Sequence, residues 1–274
     1  MKLGMWTEDL QTLKEQYETG SPFSHCIIPN FFDQETIQKL EQTFPTTENK
    51  HWHIYNNPIE KKFALNDFSK IPIYDELVKF LQSDHVLNIL KQITGIDNLE
   101  NDPYLHGAGI HYHPTNAKLD VHLDYSIHPI SRKERRINLI IYLNESWKDE
   151  WEGALELWSG TTNPEKCVKK ILPQQNTAVI FKTNDISLHG LPKPLKCPEG
   201  EGRKSFAIYY VSPQTPGIIN RPKAFFFPLP DQPMNDGLRA LYDIRKERRI
   251  EEEDISTHFP GWELDPIGKG HWYN

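Results

Sequence analysis

The hydrophobic period of the chain changes near residue 104. Before that point apolar positions recur at helical spacing; after it they alternate with polar positions every second residue. Residues 7–18 predict a short helix with Thr7 as its N-cap, and Pro22 to Phe32 a strand running into a turn. Asp33 predicts the start of an amphipathic helix with Ile37, Leu40 and Phe44 on its apolar face, because a carboxylate there accepts from the orphan N–H groups of the first turn. Tyr74 to Gly95 predicts two helical stretches, broken near Ser83-Asp84 and ended by the glycine. Residues 51–68 are aromatic and polar without a clear period. They read as a loop or strand with exposed rings and as a candidate substrate-facing lid, since functional side chains concentrate on loops. His51 and His53, in the same stretch, have no carboxylate at ligand spacing and are not taken as a metal pair.

Beyond residue 104, extended stretches recur at 105–112, 119–125, 135–144, 153–159, 166–172, 176–182, 185–189 and 203–212, with turn signals between them. That rhythm predicts a sandwich or barrel of jelly-roll type. After Pro213 come a proline-rich aromatic stretch at Phe225, a helix over 236–250, and an acidic, aromatic tail. The Phe259-Pro-Gly-Trp of that tail is expected to pack against the domain, because leaving it exposed is costly. No linker composition interrupts the chain. The expectation is one α+β domain over residues 1–274: an N-terminal helical layer (1–103) packed on one sheet, a β-core (104–213), and a C-terminal helical extension (214–274).

Composition narrows the class. With 37% hydrophobic and 25% charged residues, the chain of 274 can build a real core. A net charge of -7 argues against a general nucleic-acid binder, which needs a basic face. The basic clusters Arg132 to Arg136 and Arg245 to Arg249 lie beside acidic residues and read as solvated surface. Arg135 and Arg136 carry a second reading, as contacts for an anionic group on a substrate. Cys26, Cys167 and Cys197 are widely spaced without a C-x-x-C pair, which disfavours both a disulfide framework and a structural zinc site. The first residues lack an apolar leader and no long apolar run follows, so no membrane association and a cytoplasmic location are expected.

The candidate chemistry centres on Leu119-Asp-Val-His-Leu-Asp-Tyr125. On an extended strand His122 and Asp124 point to one face, so an imidazole and a carboxylate converge. His189 is the candidate third ligand. Two histidines and a carboxylate form a facial triad that leaves coordination positions open, and such a site loads better near neutral pH than in acid. Arg203, Ser205, Ala207 and Tyr209 share one strand face, where a guanidinium and a hydroxyl two residues apart suit a carboxylate. On the strand ending at Asn144, the residues Asn138, Ile140, Tyr142 and Asn144 face one way, and Ile137, Leu139, Ile141 and Leu143 the other. Tyr112 stands shortly before the H-x-D pair.

Taken together, these motifs resemble the 2-oxoglutarate- and Fe(II)-dependent dioxygenases, in particular their prolyl 4-hydroxylase-like branch. The resemblance covers roughly residues 104–213 and rests on Tyr112, His122-Leu-Asp124, the Tyr142 to Trp147 run, Glu152-Gly-Ala-Leu-Glu-Leu, Phe181, His189-Gly and Arg203-Lys-Ser205. It implies a double-stranded β-helix. It implies Fe(II) held by His122, Asp124 and His189, and 2-oxoglutarate held at its distal carboxylate by Arg203 with Ser205 and Tyr142. Tyr112 would lie near the chelating end. O2 is the second co-substrate and ascorbate an accessory reductant. The implied reaction is hydroxylation of an unactivated C–H, on a protein or peptide prolyl residue or on a small molecule such as a free amino acid or a sugar-linked compound. The Asp124 carboxylate favours hydroxylation over halogenation, which needs a small residue there. Two departures stand out. Glu152-Gly153 replaces the two glycines that relatives often carry, a change expected to be tolerated. The insert from Leu191 to Gly202 is longer than in the shortest relatives and bears on what fits over the mouth. The readings from other classes are a non-catalytic binding module and a zinc hydrolase; the intact triad disfavours the first, and the second has no use for Arg203.

Overall fold

The computed structural model describes residues 1–260 and Trp262. Its N-terminal part builds α1 (Leu10–Thr19), β1 (His25–Ile28), α2 (Gln34–Gln42), β2 (His53–Asn57), β3 (Glu60–Leu65), α3 (Pro72–Leu81), α4 (Asp84–Thr94) and β4 (Glu100–Asn101). The cap at Asp33 forms as its chemistry requires, accepting from the Thr36 N–H at 3.0 Å. Ser83 caps α4, and Gly95 ends it in the left-handed region at φ 67°. The first helix starts later than expected. Asp9 accepts from the Thr12 N–H at 3.1 Å and caps α1, while Thr7 turns its hydroxyl to the Gly4 carbonyl within a short 3-10 turn.

The sheet strands that follow are β5 (Gly109–Pro114), β6 (Leu119–Leu123), β7 (Glu134–Tyr142), β8 (Leu155–Ser159), β9 (Lys166–Ile171), β10 (Ala178–Lys182), β11 (Leu188–Leu191), β12 (Gly202–Ser212) and β13 (Phe225–Phe226). Helices α5 (Asp236–Glu247) and α6 (Glu252–His258) close the described chain. The strand order is β1-β10-β7-β12-β5-β3-β6-β11-β8-β9, with antiparallel pairing throughout. The sheet curls, so β6, β11, β8 and β9 come to face the larger part. This is the double-stranded β-helix with helices around it.

Alternation along the central strands sorts the side chains. Ile137, Leu139 and Ile141 of β7, with Phe206, Ile208 and Tyr210 of β12, pack against α1 to α4 in the main core. The opposite faces look into the curl, where Tyr142, Val179 and Phe181 meet Leu155, Leu157 and Leu191. Helices α5 and α6 pack Leu238, Leu241, Tyr242 and Ile255 against Ile59 and Phe226.

Three regions refine the expectations. Residues 53–65 form a hairpin, the strand alternative for this stretch, but its core-facing rings are not exposed. Its strand β3 pairs with β5 and reaches β6 at Glu60, while Trp52, Phe63 and Phe68 are buried. The helix expected over 236–250 forms as α5 and ends at Glu247, and a capping box of Glu251 and Asp254 starts a further helix, α6, beyond that range. The insert after β11 packs inward: Leu195 and Cys197 are buried beside Trp147, and the Leu195 backbone bonds Asn116 and Ala117. Of the tail, Phe259 packs on the α5–α6 cluster; Gly261 and residues 263–274 lie outside the described residues. No helix among the described residues is long and apolar enough to cross a membrane.

Candidate metal centre and co-substrate pocket

Strands β6 and β11 are antiparallel neighbours in which His122 and His189 are direct cross-strand partners. That register is why two residues far apart in sequence meet. Gly190 permits it: a Cβ there would stand 2.8 Å from the Leu119 carbonyl oxygen. His122 Nε2 lies 3.7 Å from Asp124 Oδ1, and His189 Nε2 3.6 Å from Asp124 Oδ2. One ligand atom from each residue falls within 4.8 Å of the other two.

The tautomers follow from the hydrogen bonds. His122 Nδ1 donates to the Asp120 carbonyl at 2.9 Å, and His189 Nδ1 to the Ser187 carbonyl at 2.8 Å. A carbonyl only accepts, so both protons sit on Nδ1 and both Nε2 lone pairs face the centre. Burial keeps the rings neutral. It pushes the His122 pKa down to about 3, with His189 adding to the effect, and lowers that of His189. Burial alone would raise the Asp124 pKa, but the Arg135 guanidinium is the main influence against it and the carboxylate is held at about 2. Phe226 stacks on His122 at 4.9 Å, Phe181 packs on His189 at 4.7 Å, and the Tyr242 hydroxyl of α5 donates to Asp120 Oδ2 at 2.6 Å. These contacts fix the rings from behind.

Arg135 is not solvated surface. It is buried between the rings of Tyr125 and Tyr209, at 4.6 and 3.3 Å, and its Nη2 lies 3.0 Å from Asp124 Oδ2. The N–H is not aimed at the oxygen, so Asp124 Oδ2 remains a buried atom without a hydrogen-bond partner. Arg136 pairs instead with Glu134 and Ser212.

A second group lies deeper in the curl. Arg203 is buried, its Nη1 donates to Ser205 Oγ at 3.3 Å, and its guanidinium lies 4.9 Å over the Tyr142 ring. Ser205 and Tyr142 are cross-strand partners on β12 and β7. Among the described residues no carboxylate pairs with Arg203, and its Nε and the Tyr142 hydroxyl are buried without partners. Burial lowers the Arg203 pKa, as expected for a cation with no counter-ion. The small chamber in front of it is also lined by His113 and Asn138, which both carry unsatisfied buried atoms. An outer cavity of about 350 Å³ shares His111, His122, Asp124 and Tyr209 with this chamber, so the triad lies where the two meet.

Tyr112 does not join the site. It faces the other side of β5, its ring 5.9 Å from Phe63 and 6.2 Å from Phe44, in the main core. Alternation assigns its two neighbours to the cavity: His111 stands opposite Ser205 and His113 opposite Arg203 across the β5–β12 pair. The H-x-H spacing around Tyr112 carried that signal in the sequence. Glu60 and Lys62 of β3 also line the cavities. Their signal was weaker, because it depends on an unforeseen hairpin. The insert contributes only Leu191 to the walls of these cavities, so it does not form the mouth.

Residues 108–211 match the family model of the 2OG-Fe(II) oxygenase superfamily. This stretch is a 2OG-Fe(II) oxygenase domain. The chain is 27% identical over 212 residues to the prolyl 3-hydroxylase OGFOD1 of Mus musculus; the match covers 76% of this chain and 35% of that protein, so the chain spans about a third of its relative's length. Two solved structures share the fold. One is a prolyl hydroxylase from Trichoplax adhaerens in complex with a hypoxia inducible factor peptide fragment, at 19% identity and a TM-score of 0.55, covering 76% of this chain and 94% of that one. The other is a Pseudomonas putida prolyl-4-hydroxylase, at 16% identity and a TM-score of 0.50, covering 74% and 100%.

The oxygenase domain's residues fit the family's metal and co-substrate. Two neutral imidazole nitrogens and an ionised carboxylate with an unpartnered buried oxygen suit a divalent metal of intermediate softness such as Fe(II). A buried guanidinium without a counter-ion, beside an unpartnered phenol and a serine hydroxyl, suits a carboxylate of 2-oxoglutarate.

Proposed function

We propose that this protein hydroxylates prolyl residues of a protein or peptide. In this reading Fe(II) is held by His122, Asp124 and His189, and 2-oxoglutarate by Arg203 with Ser205 and Tyr142. The observation that carries it is a triad with open lone pairs sharing one curled sheet with an unpaired buried arginine. The relative named as a prolyl 3-hydroxylase supports the choice of substrate. When bound, Fe(II) with 2-oxoglutarate and O2 supplies the oxidising power that turns a C–H into a C–OH, with succinate and CO2 as co-products.

The chain's own contribution is placement. Arg203 and Ser205 fix the far carboxylate of the co-substrate, and the Tyr142 phenol donates beside them. Arg135 keeps Asp124 ionised from 3.0 Å at Oδ2 without forming a hydrogen bond to that oxygen. Phe226 and Phe181 cover the imidazoles and keep water off their rings. The outer cavity leaves a path for a substrate side chain to reach the triad.

The test loads the protein with Fe(II) and 2-oxoglutarate in air and offers a panel of proline-containing peptides. Succinate released in step with one oxygen atom gained per peptide supports the reading. Hydroxylation of free amino acids or sugar-linked compounds with no peptide turned over replaces it with a small-molecule hydroxylase. Succinate from no substrate, with metal binding unchanged in His122→Ala, removes the enzyme reading and leaves a binding module.

A further inference from the structure

The chain carries a net charge of -7, yet the outer cavity is cationic. Its wall presents Lys62, Lys223, Arg245 and Arg249, and among the described residues its only carboxylate beyond the ligand Asp124 is Glu60. Glu60 is shared, at 2.9 Å from Lys62 Nζ and 3.5 Å from Arg245 Nε, so it cannot neutralise the wall. Arg135 also has Nε and Nη2 buried without hydrogen-bond partners, but it is held between the rings of Tyr125 and Tyr209 and against Asp124. On the rest of the wall two donors stand out. Arg245 Nη1 is buried without a hydrogen-bond partner, and Lys223 makes no ion pair among the described residues. Burial, with Arg249 and Arg245 nearby, lowers the Lys223 pKa, which is the signature of cations crowded without enough anions.

The elements that supply these groups give the wall its meaning. Lys223 stands on the segment leading into β13, whose Phe226 pairs with and stacks on His122. Arg245 comes from α5, which is braced to β6 through Tyr242 and Asp120. The cations are therefore attached to the same framework that holds the metal ligands, outside the triad and on the path to it. The co-substrate's far carboxylate has its own arginine in the inner chamber, so these donors remain for another anion.

We infer that the outer cavity selects peptides with an acidic side chain beside the residue that reaches the triad, its carboxylate being taken by Lys223 and Arg245. The inference rests on the peptide reading given above and adds the sequence context that the substrate must have. A carboxylate there satisfies the free Nη1 donor and offsets the excess positive charge. A lysine in the same place would face Lys223 and Arg245.

The experiment measures binding, without turnover, to the protein loaded with Fe(II) and 2-oxoglutarate under anaerobic conditions. Fluorescein-labelled peptides of one length carry a central Asp-Pro-Asp, Asn-Pro-Asn, Lys-Pro-Lys or Asp-Ala-Asp in a serine-glycine background. The acidic proline peptide is expected to bind roughly tenfold tighter than the asparagine one, the scale of one charge-assisted contact. The lysine peptide binds weakest, and the gap narrows with added salt. Lys223→Gln reduces the preference and Lys223→Glu reverses it. Lys223 lies in a connecting segment, so neither change cuts into the core, and thermal melts check that the fold is kept. Equal binding of the acidic and asparagine peptides, or an acidic preference untouched in Lys223→Glu, overturns the inference. The alanine peptide separates it from the prolyl reading: if it binds and is oxidised in air as well as its proline counterpart, the charge selection stands and proline specificity falls.

Discussion

The two faces of strand β12 are built from similar residue types and treat them in opposite ways. On the face toward the helices, the Tyr210 hydroxyl donates to the Leu81 carbonyl at 2.7 Å, and nearby Tyr74 donates to Leu40 at 2.6 Å. Both hydroxyls end on a backbone carbonyl. On the face toward the curl, Arg203 Nε, the Tyr142 hydroxyl, Asn138 Oδ1 and both ring nitrogens of His113 are buried with nothing to bond. Folding alone does not favour that arrangement, since each unmet buried group costs about 1–3 kcal/mol. The packing face is optimised for stability, whereas the cavity face stores unmet bonding capacity that a ligand can fill. Substitutions on the two faces should therefore fail differently.

The largest contrast is at the triad. Asp124→Ala removes the only anionic ligand and leaves Arg135 buried without its partner. Metal affinity should fall by more than about a hundredfold, beyond what loss of a supporting contact costs, and turnover should fall below detection. Equilibrium dialysis with Fe(II) under nitrogen checks the first, and succinate release the second. Metal binding close to wild type would remove Asp124 from the centre.

Next come two changes on β12 and its neighbour that should separate stability from binding. Leu139→Ala cuts into the main core on the packing face and should destabilise by about 2–5 kcal/mol while leaving the 2-oxoglutarate requirement of the folded protein unchanged. Arg203→Met should do the reverse. It removes a buried charge without a counter-ion, so the free protein should melt no lower and become up to about 1–4 kcal/mol more stable. Its affinity for 2-oxoglutarate should fall roughly a hundredfold, because a bidentate charge-assisted contact is lost. Denaturant melts with and without 2-oxoglutarate read both numbers. A large loss of stability in Arg203→Met without ligand would mean that the arginine is structural.

This same division explains what the sequence disclosed. Alternation on β7 and β12 separated Leu139 and Ile141 from Asn138 and Tyr142, and Phe206 from Arg203 and Ser205, because a period of two is a local property of an extended chain. His122 and Asp124 were legible for the same reason. Tyr112 was misplaced because its nearness to the H-x-D pair outweighed the parity of its strand, and parity gives the cavity to His111 and His113. Arg135 looked exposed because it sits in a charged run, while its burial depends on Tyr125 and Tyr209 from other strands. Glu60, Lys62 and Arg245 meet only through tertiary contacts, which no local pattern announces.

A third contrast is with pH. Burial lowers the pKa of His106 to about 4 and of His111 to about 3, and that of His113 well below its ordinary value. The folded protein keeps these rings neutral, while the unfolded chain protonates them below about 6.5. The unfolded state thus binds more protons in the window from pH 6.5 down toward the folded values. The associated stability is complete above pH 6.5 and is lost as the pH falls. Each such histidine contributes a slope of about 1.4 kcal/mol per pH unit across its window. Melts of the metal-free protein should show this decline, and His111→Gln should flatten it by about that amount. An unchanged slope would mean that His111 keeps its proton in the fold.

The smallest expected effect lies away from both faces, at the Glu152-Gly153 turn. Glu152 adopts φ 56° and ψ -148°, close to a region that side chains rarely occupy, and Gly153 follows at φ 77°. The conformation is held by what surrounds it: the Trp147 indole donates to the Glu152 carbonyl at 2.7 Å, and Trp147 packs with Leu195 and Cys197. The side chain itself gains little, since its lysine partners lie at 3.5 and 3.9 Å on an exposed surface. Glu152→Gly relieves the strain but lets the unfolded chain gain entropy, and the first term is the larger at a position with positive φ. The variant should be more stable by about 1 kcal/mol, with 2-oxoglutarate affinity and turnover unchanged, because neither cavity includes this turn. A destabilised variant would show that the Glu152 side chain outweighs its backbone, and the glutamate would then count as an adaptation of this chain rather than a tolerated departure.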